Sequence, residues 1–463
     1  MTTDGSGYRR YWDEERETLD PRVREQLILE RIAHQLAYVY EKLPFYRRLY
    51  DAHGFRPEHV RTLEDFTTKV PVVTKQMLVD DQAAHPPFGS YAGDVDDAEV
   101  TRIHGSSGTS GTPTFYRVSR SDWERAADLG AMAFWAAGVR PTDIAQIGFP
   151  FSLFFGGWGV LQGLERIGAT CFPLGAADSE RQLELMHRLG STFFSATVSY
   201  CQHLVTVAER MGLPLHEGPV RRLVVGAEAG ASVAGSRQRL TEGWGAAVHD
   251  AASTSEMYPF MTNIEVVPGE GMVVYTDEVY TEVVDRDDAN LPVPNGTTGA
   301  VVYTHLWRTS QPMIRFWPGD ATLMTAEPSS CGRTYPRLPN GILGRLDDML
   351  IVRGVNLYPS AIEAGLRETD GLGAEFQIVL SKRGALDELT VRAEVSDSTW
   401  QVLSSLGEES RTERLNEIRA QAEELVRRRV QIRVPVELLE PRSLPETVFK
   451  AKRVVDTRSE GAA

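Results

Sequence analysis

Short apolar runs alternate with helical patterns between residues 120 and 240, and this alternation constrains the fold more than any other feature of the chain. The apolar runs lie at 144–149, 169–173, 192–197 and 222–226, and helical spacing occupies segments between them such as 179–189 and 199–212. Strands that alternate with helices are typical of an α/β domain built on parallel strands. Because such domains bind ligands beyond the carboxyl ends of their strands, we expect a binding site where these runs end.

A loop rich in glycine and hydroxyl groups precedes this region. Segment 106–112, SSGTSGT, lies between two segments with strand patterns. Glycine lets backbone N–H groups turn inward, and successive inward N–H groups form a concavity that binds anions. The loop therefore predicts a polyphosphate site, although it lacks the Gly-Lys-Ser/Thr ending of a Walker A loop. The alternative is a flexible Ser/Gly linker.

The rest of the chain predicts further elements and a second domain. Residues 21–56 are predicted to be helical, Pro44 ends the apolar spacing that indicates this helix, and another helix is predicted from Ser121. Strand patterns predict an antiparallel or barrel-like subdomain at 272–284, 300–304 and 313–317. Beyond a glycine-rich junction, a βαββαβ order is predicted: a strand at 349–353, a helix that begins at Ser360, a strand pair near 375–395, a helix over 410–429 and a strand at 432–439. We therefore predict an N-terminal domain over 1–344 and a small α+β C-terminal domain over 345–463.

Composition narrows the classes of partner and compartment. The chain carries 49 basic and 64 acidic residues, a net charge of −15, which argues against nucleic acid or an anionic membrane as the main partner. The polar N-terminus has no apolar core of a signal peptide, and no apolar run is long enough to span a bilayer. The three cysteines are far apart and suit a reducing compartment, so we expect a cytoplasmic protein.

Several charged residues in later loops could carry chemistry. Glu256, at the end of STSE, could bind Mg²⁺ beside phosphate oxygens, or could begin an ordinary capped helix. Asp320, in RFWPGD, could accept ribose hydroxyls or only form an Asx turn. The charges at 345–348 could mark a hinge or a salt-bridged loop. Lys450 could stabilise charge at a phosphoryl centre, or be a solvated lysine of the tail.

The order of these motifs resembles the adenylate-forming superfamily of acyl-CoA synthetases, adenylation domains and luciferases. The stretch 331–363 most resembles the phenylacetate–CoA ligase branch, and the likeness runs from about residue 20 to 456. The resemblance implies a large N-terminal adenylate-forming domain with a small mobile C-terminal lid. It also implies an Mg²⁺-dependent reaction in which ATP activates a carboxylic acid as an acyl-adenylate and a thiol, usually CoA, then takes the acyl group.

The resemblance also implies roles for individual residues. Glu256 would bind Mg²⁺ and act with the catalytic Lys450, Asp347 would be the hinge, and Gly354 and Asn356 would approach the thiol acceptor. ATP or AMP would contact the following residues: Ser106, Ser107, Gly108, Thr109, Ser110, Gly111, Thr112, Gly226, Ala227, Glu228, Asp250, Ser255, Asp320 and Arg345. The acid pocket would include Phe149, Phe151, Phe154, Gly156, Gly157 and Tyr200.

The chain departs from the family pattern in ways that leave alternatives open. A lysine is usual where Thr112 stands, an aromatic-Gly pair where Ala252-Ser253 stand, and a glycine where Phe449 stands. Aromatic walls with glycine gaps suit an aromatic acid. The acceptor could instead be a carrier protein or an amine, or ATP could activate nitrite for diazotisation of an aryl amine. A non-catalytic nucleotide-binding homologue is the remaining alternative, and the chain could form a homodimer.

Overall fold

The computed structural model of this protein describes most of the chain. It covers residues 7–106, 113–228, 231–232, 234–257, 263–346, 350–352, 355–383, 386–430, 432–445 and 453–458, with backbone alone at 234, 351–352, 355–356, 383 and 386–387. Within these ranges the chain forms two compact units, which are described separately. The first comprises Met1–Ser195, Pro219–Ala227 and His249–Ile342, and the second Ala196–Gly218, Glu228–Val248 and Leu343–Ala463. The predicted domain division at 344–345 stays a prediction.

The α-helices of the described residues are α1 Glu14–Glu17, α2 Pro21–Lys42, α3 Pro44–Ala52, α4 Leu63–Lys69, α5 Lys75–Ala84, α6 Arg120–Ala136, α7 Gly156–Ile167, α8 Ser179–Leu189, α9 Val198–Met211, α10 Ala234–Trp244, α11 Pro359–Arg367, α12 Asp397–Ser405 and α13 Glu408–Val430. Helices α8 and α9 confirm two predicted helices of the alternating region within one residue at either end, and α6 begins one residue before the predicted Ser121. Among the described helices, none combines the length and apolarity that a membrane span requires.

The strands of the described residues are β1 Val73–Thr74, β2 Val100–Gly105, β3 Phe115–Ser119, β4 Ile144–Ile147, β5 Thr170–Phe172, β6 Phe193–Ala196, β7 Arg222–Gly226, β8 Ala247–Ala252, β9 Asn263–Glu265, β10 Met272–Val274, β11 Val279–Val284, β12 Thr298–His305, β13 Phe316–Trp317, β14 Asp320–Leu323, β15 Arg337–Leu338, β16 Gly344–Arg345, β17 Leu350–Val352, β18 Val355–Leu357, β19 Leu372–Arg383, β20 Leu386–Val395, β21 Val436–Leu439 and β22 Val454–Asp456. Strands β4 to β7 occupy the predicted apolar runs.

The larger sheet of the first unit confirms the predicted α/β class. Its strand order is β15-β10-β9-β8-β7-β6-β4-β5, and β4 pairs in parallel with both β5 and β6. Strand β6 is buried along its whole length, as expected for a strand covered on both faces. Beyond β8 the ladder turns antiparallel, with β9 on β8, β10 on β9 and β15 on β10.

Two glycines bring helices α6 and α7 into close contact. A Cβ atom on Gly130 would lie 2.9 Å from the Cα atom of Gly163, a separation that side chains do not tolerate. The crossing is therefore restricted to small residues, as in other close helix contacts. Helix α7 begins at Gly156, so this crossing fixes the segment in which the acid pocket is predicted.

The prediction of one long strand over 272–284 is wrong. The chain forms β10 and β11 instead, which belong to different sheets. Between them, Asp277 and Glu278 are 2% exposed, and both carboxylates contact Arg16. Buried carboxylates need cationic partners, so the chain turns here to present this acidic pair to the N-terminal segment.

The predicted strand over 313–317 is shorter than expected. Only Phe316–Trp317 join a ladder, antiparallel to β12 and parallel to β1. The preceding backbone N–H groups donate to side chains instead: Met313 to Nδ1 of His305 at 2.9 Å, and Ile314 to the hydroxyl of Tyr46 at 3.0 Å. Within the predicted helical span 21–56, α2 ends at Lys42, as expected from Pro44, and Pro44 begins a separate helix, α3.

The second unit gathers the C-terminal elements around a four-stranded sheet of order β21-β20-β19-β22. Its core contains apolar residues from β19, β20, α11 and α13. Helices α9 and α10 belong to this unit as well. The guanidinium of Arg239 on α10 donates to the carbonyl oxygen of Thr369 at 3.1 Å, and burial lowers the pKa of Arg239 to about 10. The sequence patterns did not predict α12 or β22.

Candidate nucleotide and acid site

The two strands that flank the predicted phosphate loop form a hairpin. Strands β2 and β3 pair antiparallel, with Gly105 opposite Phe115. At the loop's start, Ser106 is 6% exposed, and its Oγ accepts from the backbone N of Thr114 at 3.0 Å and from Oγ1 of Thr114 at 3.2 Å. Oγ1 of Thr114 in turn shares a short hydrogen bond with the hydroxyl of Tyr116. Ser106 is therefore fixed at the mouth of the loop, while 107–112 lie outside the described residues.

The carboxylate of Glu256 acts electrostatically on Tyr116, the last hydroxyl of this hydrogen-bond chain. Glu256 is 5% exposed. The pKa of Tyr116 is raised well above its usual value, mainly because Tyr116 is buried and secondly because of the negative charge of Glu256. Nζ of Lys75 lies 3.3 Å from Oε1 of Glu256, and the guanidinium of Arg308 donates to the backbone oxygen of Glu256 at 3.4 Å. Glu256 is thus a buried acid beside a half-exposed lysine, and its charge acts on Tyr116, which Thr114 joins to Ser106.

Sequence reasoning missed Lys75 and Tyr116. Lys75 is the first residue of α5, and Oγ1 of Thr74 caps that helix by accepting from the backbone N of Met77 at 3.4 Å. The Thr-Lys pair at a strand-to-helix junction was a signal for a capped helix. Nothing local indicated that this helix would begin beside Glu256.

Glu256 suits a magnesium ligand. Its Oε1 is buried and accepts no hydrogen bond within the described part of the chain, although Lys75 is close. Mg²⁺ is commonly held by one or two carboxylates together with phosphate oxygens. Among the described residues, no group of three or more His, Cys, Asp or Glu side chains is gathered in the manner of an all-protein metal cage.

The predicted adenine segment adopts a strained turn at the end of β7. A Cβ atom on Gly226 would lie 2.5 Å from the carbonyl oxygen of Ala251, so only glycine fits there. The next residue, Ala227, has φ of +68°, a left-handed conformation that costs an L-residue roughly 1–2 kcal/mol. Such strain concentrates at functional sites. On the neighbouring β8, Asp250 is 4% exposed, and its backbone N donates to the carboxylate of Glu265 at 3.2 Å.

Asp320 begins β14 and is half-buried. Its charge helps to raise the pKa of Tyr303, after the larger effect of burial. The hydroxyl of Tyr303 accepts from Nδ2 of Asn263 at 3.1 Å, and Oδ1 of Asn263 is buried without a hydrogen-bond donor among the described residues. The predicted ribose carboxylate thus acts electrostatically on Tyr303, which is itself hydrogen-bonded to Asn263.

Other predicted nucleotide and hinge residues fall in the second unit. Glu228 accepts hydrogen bonds from Ser199, and burial raises the pKa of its carboxyl. Arg345 is exposed on β16, and Tyr200 is 6% exposed, with its ring stacked on His203 at 6.0 Å. Asp347, Gly354 and Lys450 lie outside the described residues, as does the side chain of Asn356. Their predicted roles stay predictions, as does that of Ser255, which is half-buried before Glu256.

The predicted acid-pocket segment is a compact aromatic turn. Phe149 is buried in the main core, while the half-buried Phe151 packs edge-on against Trp158 with ring centres 5.0 Å apart. A Cβ atom on Gly157 would lie 3.0 Å from the carbonyl oxygen of Phe149, and one on Gly156 would lie 2.7 Å from the half-buried Phe154 ring. A side chain at Gly157 would press on the backbone of Phe149, and one at Gly156 would require the Phe154 ring to move.

His104, at the end of β2, is a polar group beside this turn that sequence reasoning missed. Its Nδ1 lies 3.2 Å from the carbonyl oxygen of Leu153, and its ring packs edge-on against Phe155 at 4.9 Å. Burial lowers the pKa of His104 to about 4, so the ring is neutral at pH 7. Nδ1 then carries the proton, and Nε2 is a buried acceptor without a donor among the described residues.

Comparison with known proteins identifies the family of this chain. The profile of the AMP-binding enzyme C-terminal domain matches residues 354–458. The phenylacetate–coenzyme A ligase of Thermus thermophilus is 36% identical over 451 residues, covering 96% of this chain and 99% of the relative, and that of Escherichia coli is 32% identical over 437 residues, covering 94% and 95%.

A solved structure resembles the chain along nearly its whole length. The 2-hydroxyisobutyryl-CoA ligase in its postadenylation state, in complex with 2-HIB-AMP, is 41% identical, with a TM-score of 0.91 over 99% of this chain and 94% of the other. The same ligase with 2-HIB-AMP and CoA, in its thioesterification state, gives a TM-score of 0.72 over the same shares. The chain belongs to the adenylate-forming superfamily, in its phenylacetate–CoA ligase-like branch, and is an AMP-forming ligase.

Proposed function

We propose that this ligase activates a carboxylic acid with ATP as an acyl-adenylate and then transfers the acyl group to CoA. The observation that carries the proposal is the buried Glu256, whose charge acts on Tyr116, the last member of the hydrogen-bond chain that begins at Ser106 beside the phosphate loop. Relatives described as CoA ligases over nearly the whole chain support the same reaction.

In the first half-reaction, a carboxylate oxygen of the acid attacks the α-phosphorus of ATP and pyrophosphate leaves. Ser106 would orient the loop that holds the phosphates, and Asp320 would accept hydrogen bonds from the ribose. Glu256 would hold Mg²⁺, which supplies positive charge to the phosphate oxygens. Lys75 brings a further positive charge to the same carboxylate, and could offset the absence of a lysine at Thr112. Lys450 would neutralise charge at the reacting carboxylate and α-phosphate.

In the second half-reaction, the CoA thiolate attacks the acyl carbon and AMP leaves with the oxygen that came from the acid. The segment around Gly354 and Asn356 would approach the thiol. A carrier protein or an amine would replace CoA in two alternative reactions. In a third, nitrite would replace the carboxylic acid and an aryl amine would replace CoA.

The proposed acid is aromatic, because the turn at 149–157 offers Phe151 and Phe154 as half-buried aromatic walls. A small branched 2-hydroxy acid is the second candidate. The 41% identical relative is named for such an acid, and the buried acceptor Nε2 of His104 beside Phe155 suits a hydroxyl donor. Both candidates are compatible with the same adenylation site.

The test is pyrophosphate release from ATP with a panel of acids that includes phenylacetate, benzoate and 2-hydroxyisobutyrate, with and without CoA. We expect acid-dependent pyrophosphate and, with CoA, a thioester detected by mass spectrometry. Glu256→Gln should abolish both, whereas Glu409→Gln, which changes an exposed glutamate of α13, should not. Absence of pyrophosphate with every acid would refute the ligase proposal. Turnover without CoA, given nitrite and an aryl amine, would select diazotisation instead.

A further inference from the structure

The side chain of Arg315 joins distant segments of the first unit through one buried guanidinium. Arg315 is 0% exposed. Its Nε lies 3.2 Å from a carboxylate oxygen of Glu282, and its Nη1 donates to the carbonyl oxygen of Val70 at 2.6 Å and to Oδ1 of Asn290 at 2.8 Å. Its Nη2 donates to the carbonyl oxygen of Ala289. Every nitrogen of the guanidinium therefore has a partner, an arrangement that the single ammonium of a lysine cannot reproduce.

The backbone of Arg315 makes a second set of contacts. Its N–H donates to Oγ1 of Thr304 at 2.9 Å, and its carbonyl oxygen accepts from the backbone N of Val73 at 2.9 Å. The latter bond begins the parallel pairing of Val73–Thr74 with Phe316–Trp317. Side chain and backbone thus bind both ends of the segment 70–73.

Arg315 adopts φ of +48°, which an L-residue rarely tolerates. Glycine would adopt this conformation without strain. The strain persists because the buried side-chain contacts hold the residue in place. A glycine would relieve the backbone strain but would lack the guanidinium contacts that join these segments.

Two segments that Arg315 contacts or adjoins lead to the candidate site. The first is 70–73, which continues directly into Thr74 and Lys75, and Nζ of Lys75 lies 3.3 Å from Glu256. Just before this segment, Oγ1 of Thr67 in α4 donates to Glu282 at 2.6 Å. The second is β13, which follows Arg315 and leads to Asp320 at the start of β14.

We propose that Arg315 and Glu282 form a positioning pair that sets Lys75 beside Glu256 for binding ATP with Mg²⁺. The proposal rests on the proposed function, because it assigns Lys75 to the nucleotide site. Arg315 acts through Lys75 and does not touch the substrate itself. Loss of the pair should displace β1 and α5, so that Lys75 no longer contributes its charge.

A double-mutant cycle tests this inference. Arg315→Lys, Lys75→Met and the double variant are compared by kcat/KM for ATP and by the calorimetric Kd for ATP with Mg²⁺, so the cycle can be measured even if no tested acid is turned over. We expect roughly a tenfold weakening from Arg315→Lys and more from Lys75→Met. Since both changes remove the same charge from the site, the double variant should match Lys75→Met alone.

A second buried ion pair of the same unit supplies the control. Arg333 and Glu17 lie with side chains 4% and 0% exposed and share no contact with Lys75 in the described residues. Arg333→Lys should lower the unfolding temperature but leave Kd for ATP unchanged. If Arg315→Lys fails to fold, Glu282→Gln replaces it in the same cycle.

Additive effects of the two substitutions would overturn the inference, as would wild-type ATP binding in Arg315→Lys. Unchanged ATP binding in Lys75→Met would overturn it too. In any of these cases, acid-dependent pyrophosphate release by the unsubstituted protein would still support the proposed function. Non-additive loss of ATP binding in the cycle of Arg315 and Lys75, together with an unchanged Kd for ATP in Arg333→Lys, supports the inference.

Discussion

Replacing Glu256 by glutamine should abolish activity with little loss of stability. The side chain of Glu256 is 6% exposed, whereas that of Lys75 is 34% exposed. At their separation of 3.3 Å, the attraction before solvation costs is about 5 kcal/mol with an effective dielectric constant of 20. Desolvation of the buried carboxylate costs several kcal/mol in the opposite direction. Because Glu256→Gln removes both contributions, its free energy of unfolding should change by only about 1 kcal/mol.

The effect on turnover should be much larger. A group that stabilises transition-state charge contributes roughly a hundredfold to a thousandfold in rate, which is about 3–4 kcal/mol. We therefore expect pyrophosphate release by Glu256→Gln to fall by that factor and to lose its normal dependence on Mg²⁺ concentration. Lys75→Met should be the more destabilising change, since it leaves the buried carboxylate without its cation.

The assay combines urea unfolding with pyrophosphate release titrated against Mg²⁺, and Glu409→Gln serves as the exposed control. An unchanged Mg²⁺ titration in Glu256→Gln would refute the role of this carboxylate. A loss of several kcal/mol in its unfolding free energy would refute the assignment of its inactivity to chemistry.

Four further substitutions test other parts of the site. Asp320→Asn should weaken ATP about tenfold but should not weaken 2′,3′-dideoxy-ATP, as steady-state kinetics with both nucleotides will show. Gly157→Ala should push the added Cβ against the carbonyl oxygen of Phe149, 3.0 Å away, so that phenylacetate loses kcat/KM while KM for ATP is unchanged. The folded-state pKa of His104 is depressed to about 4, below the unfolded value of about 6.5, so stability should fall as pH drops from about 6.5 to about 4. His104→Phe should flatten that part of a thermal-unfolding profile measured against pH. An unchanged profile would show that His104 is not the cause of the pH dependence. Lys450→Ala should slow adenylation at least a hundredfold in single-turnover measurements, and undiminished pyrophosphate release would assign the role to another lysine.

The alternating pattern of the central region predicted the α/β class well, because local periodicity determines which segments form strands and helices. Strands β4 to β7 and helices α8 and α9 lie where the pattern put them. The pattern failed where side chains replaced ladder hydrogen bonds, as before Phe316, and where buried charges interrupted an apolar run, as at Asp277. Those contacts join residues far apart in sequence, so no local window contains them.

The candidate site was predictable only in part for the same reason. Glycine and hydroxyl density identified the phosphate loop, and motif order suggested Glu256 and Asp320. The approach of Lys75 to Glu256 depends on the pairing of β1 with β13, a long-range contact that local spacing does not encode. The left-handed backbone of Arg315 could not be predicted from the sequence either, because a non-glycine residue gives no sequence signal for a positive φ.

The most direct test of the proposed reaction follows oxygen from the acid. A carboxylic acid that supports turnover is prepared with ¹⁸O in its carboxylate and incubated with the ligase, ATP, Mg²⁺ and CoA, and the nucleotide product is analysed by mass spectrometry. Attack of the carboxylate on the α-phosphorus, followed by thiolysis, predicts AMP that carries one ¹⁸O atom for each thioester formed. Unlabelled AMP, or label in inorganic phosphate accompanied by ADP, would contradict the acyl-adenylate route.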